Sequence, residues 1–211
     1  GLGIGEYLDL KKMADWAALT GQKMIQTLPI NDTTLTHTNR DSYPYNAVSV
    51  FALHPIYLNI AKMGKLSAAL KKQYDKERKE FNKKNIADYQ CVYDAKMVYF
   101  KALFEAEGEE WMKKDSYKEF YKKNHAWLDP YATFMSQRDG LAKEFYCYLQ
   151  HHADIQLAEA VQYAHSKGVA IKGDIPIGIS PDSVDAHFYP ELFHLNASAG
   201  APPDDFDARG H

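Results

Sequence analysis

This sequence has few cysteines and no excess of positive charge. Its 211 residues contain two cysteines, Cys91 and Cys147, with no other Cys or His at metal-ligand spacing beside them. We therefore expect no disulfide framework, no zinc site and a reducing, cytoplasmic location. The formal net charge is -3, and the basic residues of 71–84 are interleaved with acidic ones. That pattern is typical of a solvated helix face, so we expect no nucleic-acid partner.

Long hydrophobic runs and the common cofactor fingerprint are missing as well. The longest apolar stretch, residues 47–61, is interrupted by His54, Pro55 and Asn59, and the first residues lack a basic-then-apolar signal pattern. We therefore expect no membrane segment and no export signal. The motif Gly-x-Gly-x-x-Gly does not occur, which disfavours a dinucleotide site, and we expect no cofactor and no metal.

Aromatic residues, in contrast, are abundant, with Tyr 15, Phe 10 and Trp 3. Such a content suggests stacking on sugars or bases, but a packing role has to be considered first. Tyr93, Met97, Phe100 and Phe104 recur at spacings of four, three and four residues, which is the pattern of an amphipathic helix. We interpret these four residues as core packing.

The chain is predicted to alternate between strands and helices. A helix capped by Asp9 and terminated by Gly21 precedes a strand at 24–28, and a second strand is expected at 48–58. Charged helices are predicted at 66–82, 88–107 and 117–125, with a new start at Asp129-Pro130. A helix over 141–166 then ends at Gly168, immediately before a third strand at 169–171.

These elements predict an α/β fold, namely a partial (β/α)8 TIM-type barrel of about three strand units with a helical insertion subdomain. Residues 1–63 would form the first barrel units, 64–140 the helical insertion, and 141–211 the third barrel unit with an active-site lid loop. A complete barrel usually takes about 250 residues, so we expect this chain to be its opening part. An open doubly wound sheet is the alternative arrangement.

The stretch Lys172 to Gly178 delivers a carboxylate, Asp174, from the end of an apolar strand into a proline-stiffened turn. In α/β folds the chemistry lies at such strand ends. A second acidic loop, Ala201 to Phe206, follows along the chain. Together the two loops predict an active-site rim.

Six blocks of sequence occur in the order found in one known family. They are Gly3-Ile4-Gly5-Glu6-Tyr7, Gln26-Thr27-Leu28-Pro29-Ile30, Tyr43-Pro44-Tyr45 with Phe51 to Tyr57, Gly173-Asp174-Ile175-Pro176-Ile177, Asp182-Ser183-Val184-Asp185, and Gly200 to Phe206. On these blocks the chain resembles the N-terminal part of the catalytic domain of the 4-α-glucanotransferases, the amylomaltase or disproportionating-enzyme family (glycoside hydrolase family 77). The block that contains Ser42-Tyr43-Pro44-Tyr45 and Ala52-Leu53-His54-Pro55 resembles the maltose-using branch of that family.

The resemblance implies transfer of an α-1,4-glucan segment to an acceptor sugar with retention of configuration, with maltose, maltooligosaccharides and related glucans as partners. Retention requires a nucleophilic carboxylate and an acid/base carboxyl group about 5 to 5.5 Å apart. The family carries those groups on later barrel strands, and their motifs do not occur in this sequence. We therefore expect no catalytic residue in this chain and no turnover by the chain alone. A non-catalytic glucan-binding homologue or fragment and an unrelated α/β scaffold remain open alternatives. A homo-oligomer of the chain is a separate possibility.

The resemblance also assigns substrate-binding residues. Tyr45 would be a stacking platform for a sugar ring, and Asp174 would border the same subsite; the alternatives are a packed loop Tyr and a turn-forming Asp. Asp204 and Phe206 match a lid loop, or else form a proline-stiffened surface loop.

Other residues of the blocks are ambiguous or depart from the family. Asp182 and Ser183 are interpreted as helix-capping residues in preference to sugar contacts. His151 and His152 are interpreted as surface and packing residues and not as ligands. Aromatic residues are usual in the family where His187 and Asp205 stand, and Gln is usual where His211 stands.

Overall fold

The structure, a computed structural model, describes residues 1–176, 178–197, 200, 202–203 and 208. Its strands and α-helices follow the chain as α1 Leu10–Leu19, β1 Met24–Gln26, α2 Ala68–Phe81, α3 Tyr89–Lys113, α4 Asp115–Asp139, α5 Lys143–Ser166, β2 Ala170–Lys172 and α6 Val184–Phe188. Short 3-10 helices lie at Tyr7–Asp9, Asn39–Ser42, Pro55–Tyr57, Ile60–Lys62 and Pro190–Leu192. Within the described residues no helix is long and apolar enough to cross a membrane.

The two strands pair in parallel and are joined by a crossover that contains α2 to α5. Ile25 stands opposite Ile171 in the register. Gly21 and Gly168 follow α1 and α5 with φ of 76° and 70°, a left-handed conformation that glycine adopts without strain. The predicted helix ends at these two glycines, each followed closely by a strand, are therefore confirmed.

Helices α2 to α6 share one hydrophobic core with the N-terminal segment. Its members run from Leu2 to Val184 and include the fully buried Tyr99, Phe100 and Leu128. Tyr93 and Phe100 of the predicted stripe are buried, and Met97 and Phe104 are half-buried against the core. The packing role predicted for this stripe is therefore confirmed.

The second predicted strand, 48–58, is wrong. Within the described residues this segment forms only an isolated antiparallel bridge between Asn31 and Leu53, followed by the 3-10 helix at Pro55–Tyr57. The reason is that side chains take the place of a partner strand. The Gln150 amide on α5 accepts from the Leu53 N–H at 2.8 Å and donates to the Leu53 carbonyl at 2.8 Å. The described residues therefore contain two parallel strands of an α/β arrangement, and not three.

Six residues further along α5, a second glutamine repeats this contact. The Gln156 amide accepts from the Asn59 N–H at 2.8 Å and donates to the Asn59 carbonyl at 3.1 Å. Both glutamines are buried. Buried backbone groups need partners, so α5 substitutes for a strand at two points of the segment.

The predicted helix restart at Asp129-Pro130 is also wrong, because α4 runs unbroken through Pro130. Proline removes one backbone hydrogen bond inside a helix and normally favours a break there. Here Leu128, Tyr131 and Ala132 are buried on both sides of the proline. Packing of this face against the core thus outweighs the local cost.

A buried ion pair joins three distant parts of the chain. Lys96 on α3 donates to Glu6 Oε1 at 2.8 Å and to the carbonyls of Ile56 and Leu58 at 2.7 Å each. The Lys96 side chain is fully buried. Burial lowers the pKa of Lys96, and the neighbouring Glu6 carboxylate opposes that shift.

Candidate functional site

The carboxyl ends of the two strands lie side by side and define one edge of the sheet. The Thr27 N–H, just past β1, donates to the carbonyl of Lys172 at 3.0 Å. Gly173 and Asp174 follow β2 directly. Because parallel strands end at the same edge, the predicted carboxylate lies at the carboxyl edge of the sheet, where ligands bind in α/β folds.

The family resemblance assigned Tyr45 and Asp174 to the same subsite. In the structure their side chains are in direct contact. The Tyr45 hydroxyl donates to Asp174 Oδ2 at 2.8 Å, and Asp174 Oδ1 accepts from the Ile175 N–H at 2.9 Å. Both side chains are half-buried. The hydrogen bond to Asp174 raises the pKa of Tyr45, so the phenol stays protonated at neutral pH and remains a donor.

The turn that presents Tyr45 is held on its N-terminal side by Asp41. The Asp41 carboxylate accepts from the N–H groups of Thr36 and His37 at 2.7 to 3.1 Å. It also holds His37 at a φ of 55°, an uncommon conformation for a residue other than glycine. The exposed Tyr43 ring lies with its centroid 5.7 Å from that of Tyr45. A second aromatic ring therefore lies beside the ring whose hydroxyl contacts Asp174.

The other side of this loop is held by Asp185, a residue of the fifth block to which the sequence gave no role. Asp185 Oδ2 accepts from the Val50 N–H at 2.9 Å, and the Val184 N–H donates to the Val48 carbonyl at 2.8 Å. Burial raises the pKa of Asp185, and the hydrogen bond from Val50 opposes the shift. The sequence signal that could have identified Asp185 was the Asp-Ser-x-Asp spacing of 182–185, because the second acid stands on the buried side of a short helix.

The capping role of Ser183 is confirmed, since its hydroxyl accepts from the Ala186 N–H at 3.1 Å. Asp182 is exposed and its own N–H donates to the hydroxyl of Ser180 at 3.2 Å. His187 is exposed, with its ring centroid 5.8 Å from that of Phe134 on α4. Ser183 is the N-cap of α6, so the capping role predicted for Asp182 is wrong.

His151 and His152 are buried packing residues, so the predicted packing role is confirmed and the predicted surface position is wrong. His152 stacks on Trp111 with centroids 4.0 Å apart, and His151 Nδ1 accepts from the Trp111 indole at 3.0 Å. Burial lowers the pKa of His151 to about 4 and that of His152 to about 3. Both rings are therefore neutral at pH 7.

Asp204 and Phe206, assigned to a lid loop, lie outside the described residues, as do Asp205 and His211. Their assignment stays a prediction. Across the part of the chain that the structure describes, no three His, Cys, Asp or Glu side chains are grouped as metal ligands would be.

Two solved structures that share this fold are amylomaltases. The amylomaltase of Corynebacterium glutamicum is 25% identical with a TM-score of 0.84, over 100% of this chain and 33% of that one. The amylomaltase of Streptococcus agalactiae, solved in complex with acarbose, is 23% identical with a TM-score of 0.78, over 99% of this chain and 48% of that one. The described residues thus form part of an amylomaltase-like α/β domain.

The family model for 4-alpha-glucanotransferases, glycoside hydrolase family 77, matches residues 1–144 and 136–211. The chain belongs to this family, and the predicted resemblance is confirmed. Among curated relatives, the 4-alpha-glucanotransferase DPE2 of Oryza sativa subsp. japonica is 37% identical over 99% of this chain and 25% of its own length. A 4-alpha-glucanotransferase of Chlamydia muridarum is 34% identical over 99% of this chain and 44% of its own length. The chain thus spans less than half of the length of these relatives.

Proposed function

We propose that this chain is the part of a 4-α-glucanotransferase that forms one wall of the glucan site. The complete protein would transfer α-1,4-glucan segments from maltose or maltooligosaccharides to acceptor glucans with retention of configuration. The proposal is supported by family membership together with the contact between Tyr45 and Asp174 at the carboxyl edge of the parallel strands. Acarbose in the related amylomaltase is consistent with a sugar ligand.

The chemistry of the pair suits a sugar. An aromatic ring can stack on the apolar C–H face of a pyranose, and a carboxylate accepts from its hydroxyl groups. The hydrogen bond from Tyr45 fixes one oxygen of Asp174, which leaves lone pairs of the carboxylate for a ligand. Neither group would attack the sugar. The nucleophile and acid/base would come from the remainder of the complete protein, so we expect the 211-residue chain to be inactive alone.

Disproportionation of maltose tests this proposal. The 211-residue chain and the complete gene product would each be incubated with maltose and assayed for glucose and longer maltooligosaccharides. Products are expected from the complete protein only. Turnover by the chain itself would contradict the absence of catalytic carboxylates. An inactive complete protein that still binds maltose would favour a glucan-binding homologue.

Substitutions at the pair test the site itself in the complete protein. We expect Asp174→Asn and Tyr45→Ala each to lower kcat/KM for transfer by about 100-fold, and Tyr45→Phe by roughly tenfold, through loss of substrate positioning. A matched control pair exists, because the Tyr163 hydroxyl donates to Asp15 at 2.8 Å on an exposed surface. Tyr163→Phe and Asp15→Asn should leave transfer unchanged. Wild-type transfer by Asp174→Asn would refute its assignment.

Several predictions extend this proposal. The lid role of Asp204 and Phe206 would appear as a raised KM for long glucans in the double alanine variant, with thermal stability unchanged. The same proposal includes three further points. The chain is divided into 1–63, 64–140 and 141–211, the complete protein uses maltose as the maltose-using branch of the family does, and its location is cytoplasmic. A homo-oligomer would be detected by the sedimentation of the chain at increasing concentration.

A further inference from the structure

A pocket lies between the loop at Phe51 and helices α4 and α5, and it is lined by residues other than Tyr45 and Asp174. Its volume is about 250 Å³. The loop residue Phe51 forms one wall, Phe120 and Trp127 of α4 another, and Asp154 of α5 a third. Typical drug-sized sites occupy about 300 to 1,000 Å³, so this pocket has room for one small ring.

Phe51 is an exposed aromatic ring on a fixed backbone. Its side chain is 57% exposed, whereas the neighbouring Ala52 is fully buried. The N–H groups of Phe51 and Ala52 donate to the Ser49 hydroxyl at 3.2 and 3.3 Å. The Phe51 and Trp127 rings lie nearly parallel, with an interplanar angle of 20° and centroids 6.0 Å apart. A stacking platform is therefore formed before any ligand binds.

The polar groups of the pocket are satisfied by protein, with one exception. Asn124 accepts from the Trp127 indole at 3.1 Å and donates to the Phe120 carbonyl at 2.9 Å. The Gln150 amide is engaged with Leu53. The Asp154 carboxylate belongs to an exposed residue of α5 and has no hydrogen-bond partner among the described residues. An unused acceptor thus stands beside the aromatic platform.

We propose that this pocket binds a single glucosyl unit of an α-1,4-glucan, with Phe51 and Trp127 stacking on the ring and Asp154 accepting from its hydroxyl groups. The choice of a glucan as ligand rests on the proposed function. The pocket adds a second attachment point for a chain longer than the catalytic site holds. Two linked contacts on one polymer raise its apparent affinity without any new chemistry at the reacting bond.

Nuclear magnetic resonance of the 211-residue chain tests this pocket apart from the first site. The chain has 3 tryptophans, so three indole N–H signals are expected, and Trp127→Phe identifies the relevant one. Maltotriose would be titrated into the chain carrying Tyr45→Ala, because this substitution disables the first site, which is formed by Tyr45 and Asp174. The Trp127 signal should shift and saturate, and Asp154→Asn and Phe51→Ala should each weaken this binding about tenfold. Trp16→Ala, at another exposed aromatic, is the matched control.

The outcomes separate this inference from the proposed function. An unchanged Trp127 signal alongside maltotriose binding in the chain with Tyr45 intact would overturn the second site and leave the first standing. A Trp127 shift with tetramethylammonium but not with maltotriose would also overturn it, since the pocket would then recognise cations. Each variant must retain the dispersed amide spectrum of the parent, because Phe51 and Asp154 are exposed and their replacement should not unfold the chain.

Discussion

His54 should make the fold sensitive to mild acid. The ring is buried and uses both nitrogens: Nδ1 accepts from the Ile56 N–H at 3.1 Å, and Nε2 lies 2.8 Å from the Tyr89 hydroxyl. A backbone N–H can only donate, so Nδ1 must remain unprotonated. Protonation of Nδ1 would bring two N–H donors, one on the His54 ring and one on the Ile56 backbone, against each other in a buried site. Burial accordingly lowers the pKa of His54 from 6.5 to about 4.

The size of the effect follows from the two pKa values. The folded-state pKa lies below the unfolded one, so this stabilisation is complete above pH 6.5 and is lost as the pH falls towards 4. The full difference of the pKa values corresponds to roughly 3 kcal/mol, of which about 2 kcal/mol is lost by pH 5. Domains of this size are commonly stable by about 5 to 15 kcal/mol, so the loss is measurable.

Urea unfolding of the chain at pH 7.5, 6, 5.5 and 5, followed by tryptophan fluorescence, measures this effect. His54→Asn retains an acceptor for the Ile56 N–H but does not titrate, so its free energy of unfolding should fall about 2 kcal/mol less between pH 7.5 and 5 than that of the parent. Replacement of the exposed His125 by Asn is the matched control and should reproduce the parent. If His54→Asn lost stability as steeply as the parent, the assignment of acid sensitivity to this ring would be refuted.

Three further outcomes follow from buried groups. Lys96→Met leaves the Glu6 carboxylate buried without its cation and should lower the free energy of unfolding by about 3 to 5 kcal/mol, with partial recovery on adding Glu6→Gln; a loss under about 1 kcal/mol in urea unfolding would contradict this. Gln150→Leu strips partners from a buried N–H and carbonyl and should cost about 2 to 4 kcal/mol, with faster amide exchange at the contacted backbone; unchanged exchange would argue against the contact. A thiol reagent should label the exposed Cys91 in the native chain and the buried Cys147, whose pKa burial raises to about 12, only after unfolding; equal labelling rates would be inconsistent with the buried position.

Elements with local signals were predictable from sequence. The ends of α1 and α5 were anticipated because glycine at each end permits the left-handed backbone that stops a helix. The Asp174 carboxylate was placed correctly because an apolar strand leads straight into it. Both features are determined by residues within a few positions of each other.

Elements that depend on distant partners were predicted wrongly. The segment 48–58 has the composition of a strand, but whether it pairs depends on Gln150 and Gln156, about 100 positions along the chain and without any periodic signal. Pro130 indicated a helix break because the sequence does not reveal that both flanking turns are buried. The contact of Tyr45 with Asp174 was likewise implied only by a shared subsite, since 129 positions separate them.

The Lys96 ammonium affects how the chain unfolds. It holds the N-terminal segment, the 56–58 segment and α3 at one point, so none of the three can detach without exposing an unpaired charge to a dry interior. Although 64–140 has the texture of an inserted block, its removal would take away the cation that the first segment requires. We therefore expect the chain to unfold cooperatively in one transition. The helical block would support the strands and would not be a separable unit.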